Sequence, residues 1–111
     1  MTPEQRLAAF RTHLQHRPDD PFARYSLAMA LRSAGDGAGA VAEFHELQRR
    51  APDYVPTYLM LGQLLDELGR PAEALETLEL GMAAAQRRGD AHAEREIGDR
   101  AEGIRTRGKT P

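Results

Sequence analysis

Apolar residues along this chain recur at helical spacing, and the helical patterns recur at a longer fixed interval. Leu27, Ala28 and Leu31 fall at i, i+1 and i+4, as do Leu61, Gly62 and Leu65, so each set marks one stripe of a helix. The two sets lie 34 residues apart. The same interval relates Pro18 to Pro52, Gly35 to Gly69, Ala40 to Ala74 and Val41 to Leu75, and it relates Phe10, Phe44 and Leu78 over three copies. A fixed period of this length predicts a repeat architecture, because one helical hairpin cannot bury its apolar face and must stack on others.

Punctuation residues agree with the period. Thr2-Pro3-Glu4-Gln5 reads as a capping box, and Asp20-Pro21 as an N-cap followed by a first helical turn. Gly35 and Gly69 supply the left-handed residue that closes a helix, and Pro71 can open the next one, where a missing N–H costs nothing. The predicted helices are 3–16, 21–34, 38–51, 55–68, 71–88 and 90–104. In each hairpin a small residue (Ala28, Gly62, Ala40 or Ala74) permits close approach, while Leu31, Leu65, Phe44 and Leu78 fill the space between helices.

These positions resemble the tetratricopeptide repeat family. The matching residues are Leu27, Ala28, Leu31, Gly35, Ala40, Phe44, Leu47 and Pro52 in one copy, then Tyr58, Leu61, Gly62, Leu65, Gly69, Ala74, Leu78 and Gly81 in the next. The resemblance implies an all-α fold, a right-handed α-solenoid of stacked antiparallel helix pairs with about six helices. Its expected organisation is a single domain over 1–104: a half repeat at 3–18, repeat 1 at 21–54, repeat 2 at 55–88 and a capping helix at 90–104. Residues 105–111 are expected to form a flexible tail. Two positions depart from the pattern: Arg24 stands where the family carries a bulky apolar residue, and Gln86 replaces the closing proline.

The last helix ends the stack. His92, Arg95, Glu96 and Asp99 lie 34 residues after Tyr58, Leu61, Gly62 and Leu65, so the face that would receive another helix is polar. Ala93, Ile97, Ala101 and Ile104 form an apolar stripe able to lie back on the 71–88 helix.

Composition narrows the function. The chain has 111 residues, a formal net charge of −2 and no cysteine, which excludes disulfides, thiolate metal clusters and a cysteine nucleophile. A pI near 6.1 offers no global attraction to nucleic acid or anionic lipid. The N-terminus has no basic and apolar leader pattern, and no apolar stretch is long enough to span a bilayer, so a cytoplasmic protein is expected. Arginine-rich, alanine-rich usage points to a bacterial source.

Motifs for chemistry are weak. Gly103, Gly108, Lys109 and Thr110 satisfy the phosphate-loop expression, but a helix is expected before them and none after, the reverse of what that loop needs. His45-Glu46 begins like a zinc-protease helix, yet Arg49 stands where the second histidine is needed. His13 and His16 share a helix face without a carboxylate partner beside them, so both are expected to be solvent-facing or half-packed. Neither a metal nor a cofactor is expected, and no enzyme. Arg49-Arg50 and Arg87-Arg88 fall in final helical turns, where cations offset the macrodipole. Glu46–Arg50, Asp66–Arg70 and Glu96–Arg100 have the spacing of helix-surface pairs. Arg105, Arg107 and Lys109 are too sparse for a nucleic-acid arm.

The family resemblance further implies a concave groove lined by the first helix of each repeat. The matching stripe has Tyr25, Met29, Leu59 and Ile97 as an apolar floor, joined by Phe22, Met60 and Gln63, with Arg32, Asp66 and Arg100 on one rim. Aromatic and methionine side chains on such a stripe suit a protein or peptide partner. Chaperone-adaptor members hold a C-terminal carboxylate through lysine, arginine and asparagine. Tyr25, Met29 and Met60 occupy three of those places here, so tails of the Hsp70 or Hsp90 type are not expected ligands. The expected function is a non-enzymatic adaptor that binds a partner peptide or helix, with neither nucleic acid nor membrane as partner. The alternative is a homo-oligomeric assembly element, such as a homodimer, that uses the same groove. Whichever holds, Phe44→Ala should cost about 3–5 kcal/mol of unfolding free energy by urea titration, out of a total of roughly 5–15.

Overall fold

The computed structural model describes residues 1–108, which form six helices joined by short turns: α1 (Pro3–His16), α2 (Pro21–Ser33), α3 (Gly37–Arg50), α4 (Pro56–Glu67), α5 (Pro71–Arg88) and α6 (Ala91–Gly108). Among the described residues there is no strand, and no helix is long and apolar enough to cross a membrane. The contacts divide the chain into two compact units, Met1–Pro52 with α1 to α3 and Asp53–Pro111 with α4 to α6.

Helix ends follow the sequence signals. Thr2 Oγ1 accepts from the Gln5 backbone N–H while Gln5 Oε1 accepts from the Thr2 N–H, which completes the capping box. Asp20 Oδ1 accepts from Ala23 N at the start of α2, and Asp36 and Asp90 make the same bond to Gly39 and Ala93. Gly35 and Gly69 adopt φ of +84° and +77°, and the residue after each donates back to a carbonyl in the last helical turn. In α5, Gln86 stands where Pro52 ends the preceding copy, and the helix runs on to Arg88 before Gly89 closes it. Helix α5 is therefore 18 residues long against 14 for α3.

In the first unit α2 packs on both α1 and α3. Its core is Leu14, Leu27, Leu31, Val41, Phe44 and Leu47, and the Tyr25 ring meets Phe44 edge-on with centroids 6.0 Å apart. Arg24 is only 11% exposed. Its guanidinium donates to Glu43 Oε2 on α3 at 2.8 Å and to the Pro18 carbonyl at 3.2 Å. The stem packs as an apolar residue would, and the charged head ties two elements together.

In the second unit α5 packs against α4 and α6, and α4 also touches α6. Tyr58, which is equivalent to Arg24, is buried, and burial raises its hydroxyl pKa. The α4–α5 crossing depends on glycine. A Cβ on Gly62 would stand 2.6 Å from a Leu78 methyl, and one on Gly81 would stand 2.4 Å from Tyr58 Cβ. Thr57 is fully buried and its hydroxyl finds no hydrogen-bond partner among the described residues.

Ile97, Ala101 and Ile104 are buried and α6 lies on α5. The expected tail is corrected for residues 105–108, which continue α6. Ile104 is buried at the start of this last stretch, and Arg105 then reaches Glu79 Oε1 at 3.2 Å while Arg107 pairs with Asp66, so these contacts hold the added turn. Residues 109–111 lie outside the described residues.

Two glycines of the second unit should respond oppositely to added bulk. Gly81→Ala must displace Tyr58 and should cost about 1–3 kcal/mol. Gly103→Ala, with nothing within 4 Å of the new Cβ, should add about 0.5–1 kcal/mol through helix propensity. Chemical denaturation of both variants checks the pair.

Candidate functional site

An exposed aromatic, Phe22, marks an apolar groove in the first unit. Phe22 sits in the first turn of α2, just after the Asp20 cap, and is 68% exposed. Tyr25, Met29 and Ala30 follow it along the same side of α2. Pro3, Arg6 and Phe10 of α1 form the opposite wall, and the space between them has a volume of about 450 Å³. Phe10, Tyr25 and Met29 are half-buried, so the groove has a packed floor and an open mouth. Its one charged lining residue is Arg6, which makes no ion pair among the described residues.

Three of the residues expected in a partner groove, Phe22, Tyr25 and Met29, thus lie together in the first unit. Arg32 is half-buried further along α2. The remaining expected residues belong to the second unit. Leu59, Met60 and Gln63 are half-buried on α4. Asp66 and Arg100 line a separate polar cleft with Glu96, Asp99 and Arg107. Ile97 is corrected: at 1% exposed it is a core residue, with its Cδ1 against the backbone of Gly81, and offers no surface to a partner. The α1 wall was missed, although Phe10 belonged to the three-copy register and Arg6 lies 34 residues before Ala40.

Several other chemical expectations change with the contacts. His13 does have a carboxylate neighbour: its Nε2 lies 2.8 Å from Asp20 Oδ2, brought there by the turn between α1 and α2. That bond, with the one from the Ala23 N–H, holds the Asp20 carboxyl below its ordinary pKa. No group of three or more potential metal ligands occurs among the described residues. In the phosphate-loop match, Gly103 and Gly108 are helical, and Lys109 and Thr110 lie outside the described residues. Glu46 pairs with Arg50 at 2.7 Å as expected and with Arg49 as well. Arg70 turns instead to Glu73 at 2.6 Å, and Asp66 meets Arg107.

Carboxylates at equivalent places in the two copies make parallel ties. Asp19 accepts from Arg50 at 2.8 Å, and Asp53, 34 residues later, accepts from Arg87 at 2.8 Å. In each copy an arginine in the last turn of the second helix reaches the turn before the first.

Comparison with known proteins agrees with this geometry. A family model described as tetratricopeptide repeat matches residues 31–94. The chain belongs to the tetratricopeptide repeat family. A tetratricopeptide repeat domain protein of Salinibacter ruber is 34% identical over 78% of this chain and 97% of its own, with a TM-score of 0.73. The TPR2B domain of yeast Sti1, solved in complex with pHsp70, superposes with a TM-score of 0.82 at 20% identity, covering 93% of this chain and 82% of its own. A Bordetella parapertussis protein gives 0.77 at 23% identity, over 91% and 88% of the two chains. At those identities the last two show the fold alone. A search of curated proteins finds no match.

Within this tetratricopeptide repeat chain the Glu46 carboxyl is strongly perturbed: Arg49, and then Arg50, hold its pKa at about 2 against 4.5 ordinarily. A lowered native pKa stabilises the fold above the unfolded value and loses that effect as pH falls through the native one. The window here is from about pH 4.5 down to about 2. Exposure to solvent keeps the effect small. Glu46→Gln should therefore flatten the fall of Tm across that window, as read by thermal melts.

Proposed function

We propose that this chain is a non-enzymatic adaptor that docks a segment of a partner protein against its first unit, with Phe22, Tyr25 and Met29 as the apolar contact. Tetratricopeptide repeats are protein–protein interaction modules, and membership of that family supports the general reading. The observation that carries the specific one is the open groove between α1 and α2. It places a two-thirds-exposed phenylalanine beside a half-buried tyrosine and methionine in one concavity. Such residues supply large contact area and adaptable packing, and a few of them carry most of the free energy of an interface.

Arg32 of the first unit and, in the second unit taken by itself, Leu59, Met60, Gln63, Asp66 and Arg100 are proposed as further partner contacts. We also propose that the whole of 1–104 works as one domain, in the cytoplasm. The apolar groove offers no lysine or asparagine clamp for a C-terminal carboxylate, so tails of the Hsp70 type are not its expected ligand.

The second reading, self-association through the same surface, is favoured by the apolar character of the groove and opposed by Arg6, which two facing copies would bring together.

Tyr25 braces Phe44, so its removal would confound binding with folding. Phe22→Ala with Met29→Ala is the cleaner test. A purified partner first recovered on the wild-type protein should bind the double variant at least about 30-fold more weakly, the equivalent of about 2 kcal/mol. Unchanged affinity by calorimetry would falsify the groove assignment.

A further inference from the structure

The groove of the first unit has a filled counterpart in the second. Two repeat intervals separate Pro3 from Pro71, Arg6 from Ala74, Phe10 from Leu78, Met29 from Ile97 and Ser33 from Ala101. By that register α1 and α2 correspond to α5 and α6. In the second unit helix α4 packs against both of those helices, and Leu78, Ile97 and Ala101 are all buried. In the first unit the described residues supply no helix in the corresponding place. Phe10 and Met29 are half-buried there, and Ser33 is exposed.

The contacts of α4 also set the register of whatever fills such a place. Gly62 lies on Leu78 and Tyr58 on Gly81, so α4 and α5 run antiparallel with a small residue facing the large one. Continued one turn towards the C-terminus of α4 from Gly62, that antiparallel register sets Leu65 level with Ala74. Both are fully buried. The residue equivalent to Ala74 in the first unit is Arg6. An arginine at a position of close helix contact rejects a leucine and accepts a carboxylate, because a buried cation needs a partner. Arg6 has none among the described residues, and α1 carries Arg6 and Arg11 against the single acid Glu4.

We propose that the α1–α2 groove takes an acidic amphipathic helix of a partner protein, lying as α4 lies on α5 and α6, with a small residue on Phe10 and a carboxylate one turn later on Arg6. This rests on the docking surface proposed above and adds the conformation, direction and charge of the ligand. A second copy is the poorer occupant, since its own α1 brings more positive charge to the same place.

The test uses the full chain and two synthetic peptides: the segment 53–70 of this protein, and the same peptide with Leu65→Glu. Calorimetry should show the Leu65→Glu peptide binding at least tenfold more tightly than the parent. The preference should vanish in the Arg6→Ala protein, whose altered side chain is exposed in the free chain and leaves Tm unchanged. Adding Gly62→Leu to the better peptide should abolish binding. Equal binding of both peptides that is lost in Phe22→Ala/Met29→Ala would overturn the acidic helix and leave the docking surface standing. Binding of neither peptide would overturn the helical occupant, and the docking surface would then stand or fall on the purified partner and that double variant. A light-scattering mass of two chains, reverting to one in the double variant, would assign the groove to a second copy and overturn the proposal.

Discussion

Close approach of two helices requires that a large side chain on one meet a small one on the other, and the second unit is organised around two such meetings. Gly62 admits Leu78, and Gly81 admits the Cβ and ring of Tyr58. Neither site has room for a methyl group without a shift of its neighbour. The register they impose fixes which face of α5 remains for α6, and hence where Ile97 and Ile104 are buried. The first unit meets the same constraint with other residues. Ala28 and Phe44 hold the places of Gly62 and Leu78, and Arg24 and Leu47 hold those of Tyr58 and Gly81. Where Gly81 gives way to Leu47, the facing aromatic gives way too, with Arg24 in the place of Tyr58.

Most of the fold was legible because the features that set it are local or strictly periodic. The caps at Thr2 and Asp20, the left-handed Gly35 and Gly69 and the entry at Pro71 all act within a turn, and each appears where its sequence places it. The last turn of α6 was not legible. Gly103 and Gly108 lower helix propensity, and the arginines that secure the turn do so with Glu79 and Asp66, which are distant in sequence. For the same reason Asp66–Arg70 failed as a pair: spacing identifies who can meet within a helix, and Arg70 lies beyond its end.

The candidate site was legible by halves. Phe22, Tyr25 and Met29 stood out as apolar residues on a stripe that the core does not need. Their opposite wall on α1 did not, because a single helix without its hairpin partner in the sequence offers the pattern little to match. Ile97 misled for the opposite reason. It satisfies both the cap stripe and the groove stripe, and burial against Gly81 decides between them. Which of two faces a single residue serves is a tertiary question.

The guanidinium of Arg24 does in one copy what the ring of Tyr58 does in the other, and the two do it by different physics. The ion pair to Glu43 is part-buried and so only weakly screened by dissolved salt, whereas the aromatic burial of Tyr58 needs no partner charge and weakens in the cold. One position of the template is therefore held by charge in the first copy and by desolvation in the second.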